Sequence, residues 1–226
     1  MKKIALLAVA FLAGTTAIAQ TSTSTMSGTG PKWGLKVGVN IPKYSFHVDD
    51  GENPETGTIT NFHVTGYADL PLGTHLAVQP GLSLQGKGGK FSEFEVAGTT
   101  IENKQSTMWI EVPINLVAKL PLGIGGSNLF VGAGPYAAYG IAGQNKIENA
   151  DNGDEVSTDV KFGDSDGDDL KALDLGFNFI GGIQLGSGVN VSAGYGLGIN
   201  DLRPDNGSSD GKQTNRVWSF SLGYAF

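Results

Sequence analysis

The sequence predicts an all-β protein: an eight-stranded, antiparallel, up-and-down transmembrane β-barrel. Three observations predict it. Large apolar residues recur at every second position through eight segments, the period of a strand with one apolar face. The residues between them are small or polar; 35 glycines in 226 residues are too many for a helical domain, and the patterning is too regular for disorder. Short and long connections alternate between the segments, as they do in a barrel with tight turns on one side of a membrane and loops on the other.

The N-terminus reads as a secretory signal over residues 1–19. Lys2 and Lys3 precede the apolar run Ile4–Ala13, and Ala17-Ile18-Ala19 offers small residues for cleavage. The run is too short to span a bilayer, and no cysteine follows to carry a lipid anchor. Residues 20–32 are a polar leader, and residues 33–226 form the barrel.

In the first strand Trp33, Leu35, Val37, Val39 and Ile41 share a face opposite Gly34, Lys36, Gly38 and Asn40. The second, 60–70, sets Phe62, Val64, Gly66, Ala68 and Leu70 against Asn61, His63, Thr65, Tyr67 and Asp69. Pro71-Leu72-Gly73 turns the chain into the third, 74–85, where Pro80 lacks a ladder donor and implies a bulge or a local break. The fourth, 107–120, turns Trp109, Glu111, Asn115 and Lys119 away from its apolar face. In the fifth, 128–143, Phe130 and Tyr136 compete with Leu129, Val131, Ala133, Ala137, Tyr139 and Ile141 for the apolar side. The sixth and seventh, 173–185 and 189–200, are joined by Gly186-Ser187-Gly188. Pairing Leu185 with Val189 keeps both outward and makes Gly188 the left-handed residue. The eighth, 216–226, alternates Trp218, Phe220, Leu222, Tyr224 and Phe226 with small residues.

Connections 71–73, 121–127 and 186–188 are short; 42–59, 86–106, 144–172 and 201–215 are long. A soluble lipocalin-like barrel would need the apolar set inside. Size argues otherwise: glycines travel with the polar set, aromatics with the apolar one, and a small barrel has room inside only for the small set. The chain carries a net charge of −7, or −9 without Lys2 and Lys3, which speaks against nucleic acid as a partner. With no cysteines, closure relies on hydrogen bonds and packing.

Several segments carry a family likeness: Trp109-Ile-Glu-Val-Pro-Ile-Asn-Leu116, Phe130-Val-Gly-Ala-Gly-Pro-Tyr136, Asp174-Leu-Gly-Phe-Asn178, Val191-Ser-Ala-Gly-Tyr195 and Tyr224-Ala-Phe226. On these the stretch 33–226 resembles the outer-membrane β-barrel family widespread in Bacteroidetes, which includes PorT-like proteins. The resemblance implies integral residence in the outer membrane of a Gram-negative bacterium. It also implies insertion by the barrel-assembly machinery, with Phe226 as the aromatic assembly signal, and carries no specific activity.

The inward face would bring Lys36, His63, Asp69, His75, Glu111, Lys119 and Asp174 into the lumen. In eight strands such charges must pair, so they read as a polar plug, with a narrow pore or transport accessory as the alternative. Asp69 and His75 are the expected rim contact. No Gly-x-Ser-x-Gly elbow or His-Glu-x-x-His is present, so neither an enzyme nor a cofactor is expected. The loop 144–172 holds nine carboxylates and Lys161 between Glu148 and Asp169. Asp164, Asp166 and Asp168 alternate as calcium ligands do, without the glycine and glutamate of an EF-hand. The expected role is structural, with the four long loops meeting lipopolysaccharide, lipid or an extracellular ligand.

Overall fold

A computed structural model describes residues 30–47, 55–96, 99–149, 155–165, 167–204 and 211–226. The signal, most of the leader and Asp166 lie outside the described residues. Among the described residues nine strands form: β1 (Lys32–His47), β2 (Asn61–Pro71), β3 (Leu76–Val96), β4 (Thr99–Pro121), β5 (Asn128–Asn149), β6 (Glu155–Asp159), β7 (Leu173–Gln184), β8 (Val189–Gly198) and β9 (Lys212–Ala225). All pairs are antiparallel. Eight strands close a ring in the order β1-β2-β3-β4-β5-β7-β8-β9, with β9 back on β1, while β6 flanks the outer part of β5.

Carrying the register once around this ring from Trp33 returns to β1 at Lys43, a stagger of ten residues. With ~3.3 Å per residue and ~4.8 Å between strands, that stagger tilts the strands by roughly 40°. The wall has a radius of roughly 8 Å at the backbone, and side chains fill a barrel of this size.

Which face looks outward follows from burial. Val37, Val39, Val64, Val112, Ile114, Leu116, Val131, Phe177, Phe179, Val191, Phe220 and Leu222 are exposed, while Asn40, His63, Ser83, Glu111, Asn115, Asp174 and Asn190 are buried. A water-soluble fold inverts that order. Phe130 and Tyr136, ambiguous by pattern, both point inward and are buried. Outward aromatics form two girdles. Trp33, Tyr224 and Phe226 stand at the end with the short turns, and Phe62, Trp218, Phe177 and Tyr139 stand roughly 20 Å further along the axis.

The hairpin joining β7 and β8 has the expected register, with Gly188 at φ 96°. At Pro80 the β2–β3 ladder is interrupted without a change of register, a break and not a bulge. Bulges instead occur near Phe91 and at Ile141, where Met108 pairs with Ala142 and Trp109 with Gly140.

Strand lengths depart from expectation. The connection 86–106 is mostly a hairpin, because β3 continues to Val96 and β4 begins at Thr99. Likewise β1 reaches His47, β9 starts at Lys212, and 144–172 contains the end of β5 and all of β6. The exposed apolar alternation ends near the outer girdle. Backbone pairing does not, so the sheet projects beyond the apolar band.

Candidate functional site

The inward face is occupied in layers. At the outer mouth, Tyr44, Trp109, Tyr136 and Ala138 of the wall form an apolar core with Val160, Leu170 and Leu202, and Phe162 packs against it. The last four belong to segments that leave the wall and fold back over its opening. Phe162 meets the Trp109 ring edge-on at 5.2 Å. Gly140 makes room for it: a Cβ there would collide with the Phe162 ring.

Beneath this cap lies an ion cluster. Lys87 Nζ is 2.8 Å from Glu111 Oε2 and 2.9 Å from Asp174 Oδ2, and all three side chains are no more than 3% exposed. Asn215 donates to Asp174 Oδ2 at 2.8 Å, and Asn178 donates to Glu111 Oε1 at 3.0 Å. The ammonium sits 4.3 Å from the centre of the Tyr136 ring. One cation between two carboxylates leaves a formal charge of −1, which buried surroundings tolerate only with such donors.

Below the cluster is a hydrogen-bonded chain. Asn40 Nδ2 donates to Gln85 Oε1 and the Gly86 carbonyl, so Asn40 Oδ1 is free to accept. His63 Nδ1, 2.7 Å away, therefore donates to it, and Nε2 lies 2.9 Å from Ser221 Oγ. A polar cavity of about 60 Å³ adjoins this chain, lined by Lys36, Thr65, Asn115 and Ser219 among others. Lys36 lies 5.0 Å from the Tyr67 ring centre. At the inner end Lys119 pairs with Asp69.

Lys36, His63, Asp69, Glu111, Lys119 and Asp174 thus all point into the lumen, in three groups. His75 does not. It is exposed in the turn between β2 and β3, where its carbonyl accepts from the Lys119 amide. The expected Asp69–His75 contact gives way to Asp69–Lys119, because β3 starts one residue after His75. Lys87 is the residue that sequence reasoning missed. Continuing the period from Ser83 through Gln85 would have reached it. Among the described side chains buried or half-buried in the lumen, three cations, Lys36, Lys87 and Lys119, stand against three carboxylates, Asp69, Glu111 and Asp174, while Lys32 is exposed at the inner rim.

Outside the mouth, β3, β4, β5 and β6 form the projecting sheet. Lys90, Lys104 and Lys146 align across three strands, and Glu102, Glu148 and Glu155 align across the next row. Diagonal pairs stitch the rows: Lys104 to Glu102 and, at 3.0 Å, to Glu148, and Lys146 to Glu155 at 3.0 Å. The Lys104 ammonium bonded to Glu102 holds that carboxyl below the usual glutamate range, and Glu102 in turn raises Lys104. Opposite this charged surface, Ile147 and Val156 face each other exposed.

Of the three candidate calcium ligands, Asp166 lies outside the described residues. Asp168 Oδ2 accepts from the Ser165 amide at 2.9 Å, closing a turn, and Asp164 Oδ1 lies 3.8 Å from Lys171 Nζ. Among the described residues no three potential ligands gather around a point.

Residues 18–203 match the family described as "Outer membrane protein beta-barrel domain". Similar solved structures include Ail, the attachment invasion locus protein of Yersinia pestis, at 12% identity and a TM-score of 0.40, over 87% of this chain and 99% of that one. Neisserial surface protein A is 11% identical with a TM-score of 0.38, over 84% and 95%. The N-terminal barrel domain of Pseudomonas aeruginosa OprF is 9% identical with a TM-score of 0.31, over 84% and 97%. No curated protein matches the chain. Identities this low transfer no residue roles.

Proposed function

This chain belongs to the outer membrane protein β-barrel domain family, whose place is the outer membrane of Gram-negative bacteria, and we propose that it serves there as a closed, non-enzymatic surface barrel. Its working part is the projecting sheet of β3–β6, which meets an extracellular partner. The observation that carries this reading is the occupied lumen. With the apolar cap above the Lys87 cluster, the groups offered to the outside are those on the sheet and the neighbouring loops. Residues 1–19 are a cleaved export signal in this reading, Phe226 is read by the barrel-assembly machinery, and the chain falls in the Bacteroidetes branch with the PorT-like barrels.

The test shortens the sheet and leaves the barrel. Replacing 90–104 by a tight turn, with 145–158 similarly closed, removes the charged rows and keeps the wall. Cells carrying the shortened protein should lose surface contact, scored as adhesion to extracellular matrix and to neighbouring cells, while the gel shift on boiling persists. Equal adhesion by both forms would sink the proposal. A narrow transport accessory is the second reading, favoured by the polar cavity beside Lys36; solute uptake that follows the protein's abundance would carry it.

A further inference from the structure

On the outward face, the residues just beyond the outer aromatic girdle on β1 and β9 are cationic. Ile41 pairs with Trp218, and the next outward pair along the two strands is Lys43 with Arg216. A girdle tryptophan marks the edge of the hydrocarbon layer. Two residues further along a tilted strand is a rise of roughly 5 Å, the depth of lipid phosphate groups.

The pair is prepared for an anion. Arg216 Nη1 donates to the Gly198 carbonyl at 2.8 Å and to the Asn215 carbonyl at 2.9 Å, which fixes the guanidinium against the wall. Both bonds use one nitrogen, so Nε and Nη2 remain for another acceptor. Among the described residues Arg216 has no carboxylate partner. Lys43 pairs with Glu55, whose side chain is 46% exposed, so the two cations exceed the local carboxylate by one charge. Among the described strand residues, the other outward cations, Lys212 on β9 and Lys90, Lys104 and Lys146 on the sheet, stand further from the girdle. Around the ring at the depth of Arg216 the outward residues are apolar: Met108, Leu173, Leu175 and Ile199. The charge is therefore local to one sector.

We infer that Lys43 and Arg216 form a binding site for a phosphate group of the outer-leaflet glycolipid, its acyl chains lying on Ile41, Trp218 and Phe220. The guanidinium supplies a paired donor edge for the phosphate, and the flexible ammonium adds charge. The inference rests on the barrel's place in the membrane and is independent of any partner at the projecting sheet.

The experiment titrates refolded protein in detergent with diphosphorylated lipid A and with the same lipid A stripped of its phosphates, and counts bound lipid by native mass spectrometry. The wild type should retain the phosphorylated form about tenfold better, as expected of two surface cations near a headgroup. The Lys43→Gln, Arg216→Gln double variant should lose the preference, and Lys43→Arg with Arg216→Lys should keep much of it. A wild type with no preference, or a double variant that retains it, overturns the site. So does displacement by millimolar inorganic phosphate, which would mean that the pair takes the bare anion. All variants are first scored for the gel shift on boiling. A wild type without that shift would fail the barrel itself and not this site.

Discussion

Lys87 joins two carboxylates and two aromatic rings in the middle of the lumen. It contacts Glu111, Asp174 and the Tyr136 ring, and its neighbours are all buried. Removing the cation leaves two buried carboxylates without a counter-charge. Lys87→Met should therefore destabilise the barrel by about 3–5 kcal/mol. Glu111→Gln should cost less, because Lys87 then keeps one full partner, Asp174, and Asn178 keeps an oxygen to bond. Urea unfolding of the vesicle-inserted protein, followed by tryptophan fluorescence, measures both. If Lys87→Met lowered stability no more than Glu111→Gln, the cluster would be a loose, hydrated group and not a packed one. The pattern of the sequence concealed this lysine for a physical reason: beyond Leu84 the outward residues are Gly86, Gly88 and Lys90, so nothing apolar marks which side is out. His75 misled in the opposite way. Its alternation with Ala77 and Gln79 is real, but the turn needs four residues, 72–75, and takes it out of the strand.

At the level of the strand, the apolar faces were legible because lipid imposes a two-residue period on every segment that crosses it. The lumen was legible for the same reason, since the polar set has nowhere else to go. What lay outside lipid was not. The stretches 87–96, 99–107, 143–149 and 155–159 carry no sustained apolar alternation, yet they extend β3, β4 and β5 and form β6, held by backbone ladders and the diagonal Lys–Glu pairs. These pairs give the sheet a pH response. The carboxyl of Glu102 titrates below an unfolded glutamate, so its contribution is present above the ordinary glutamate range of ~4.3 and is lost as pH falls through its lower folded value. Hydrogen exchange of amides 99–107 and 144–149 should accelerate as pH falls below about 4, after correction for intrinsic rates, while amides 110–117 stay protected. High salt should give part of the same effect at neutral pH, since these pairs are open to solvent. Uniform behaviour of the two sets of amides would mean that the rows add nothing to the sheet's stability.

For the molecule as a whole, the proposed closure does not depend on one barrier. The apolar cap and the Lys87 cluster occupy successive depths of a lumen whose backbone radius is only roughly 8 Å. An ion crossing the cap would lose its water to the rings of Trp109 and Phe162 and would then meet a cluster carrying −1. The wild-type protein should show no conductance steps in planar bilayers. Replacing 160–171 by a short linker removes the cap, yet conduction should still be absent, because Lys87, Glu111 and Asp174 fill the passage below. Changing those three together to alanine takes away both signs of charge at once, so it avoids orphaning a buried ion and the barrel should keep its gel shift on boiling. Only with both changes should small steps appear, through the space left between Gly196, Ser219 and the cavity beside Lys36. Steps after loss of the cap alone would place the whole seal in the loops and reduce the ion cluster to a packing element. Steps in the wild type would make the transport reading the stronger one.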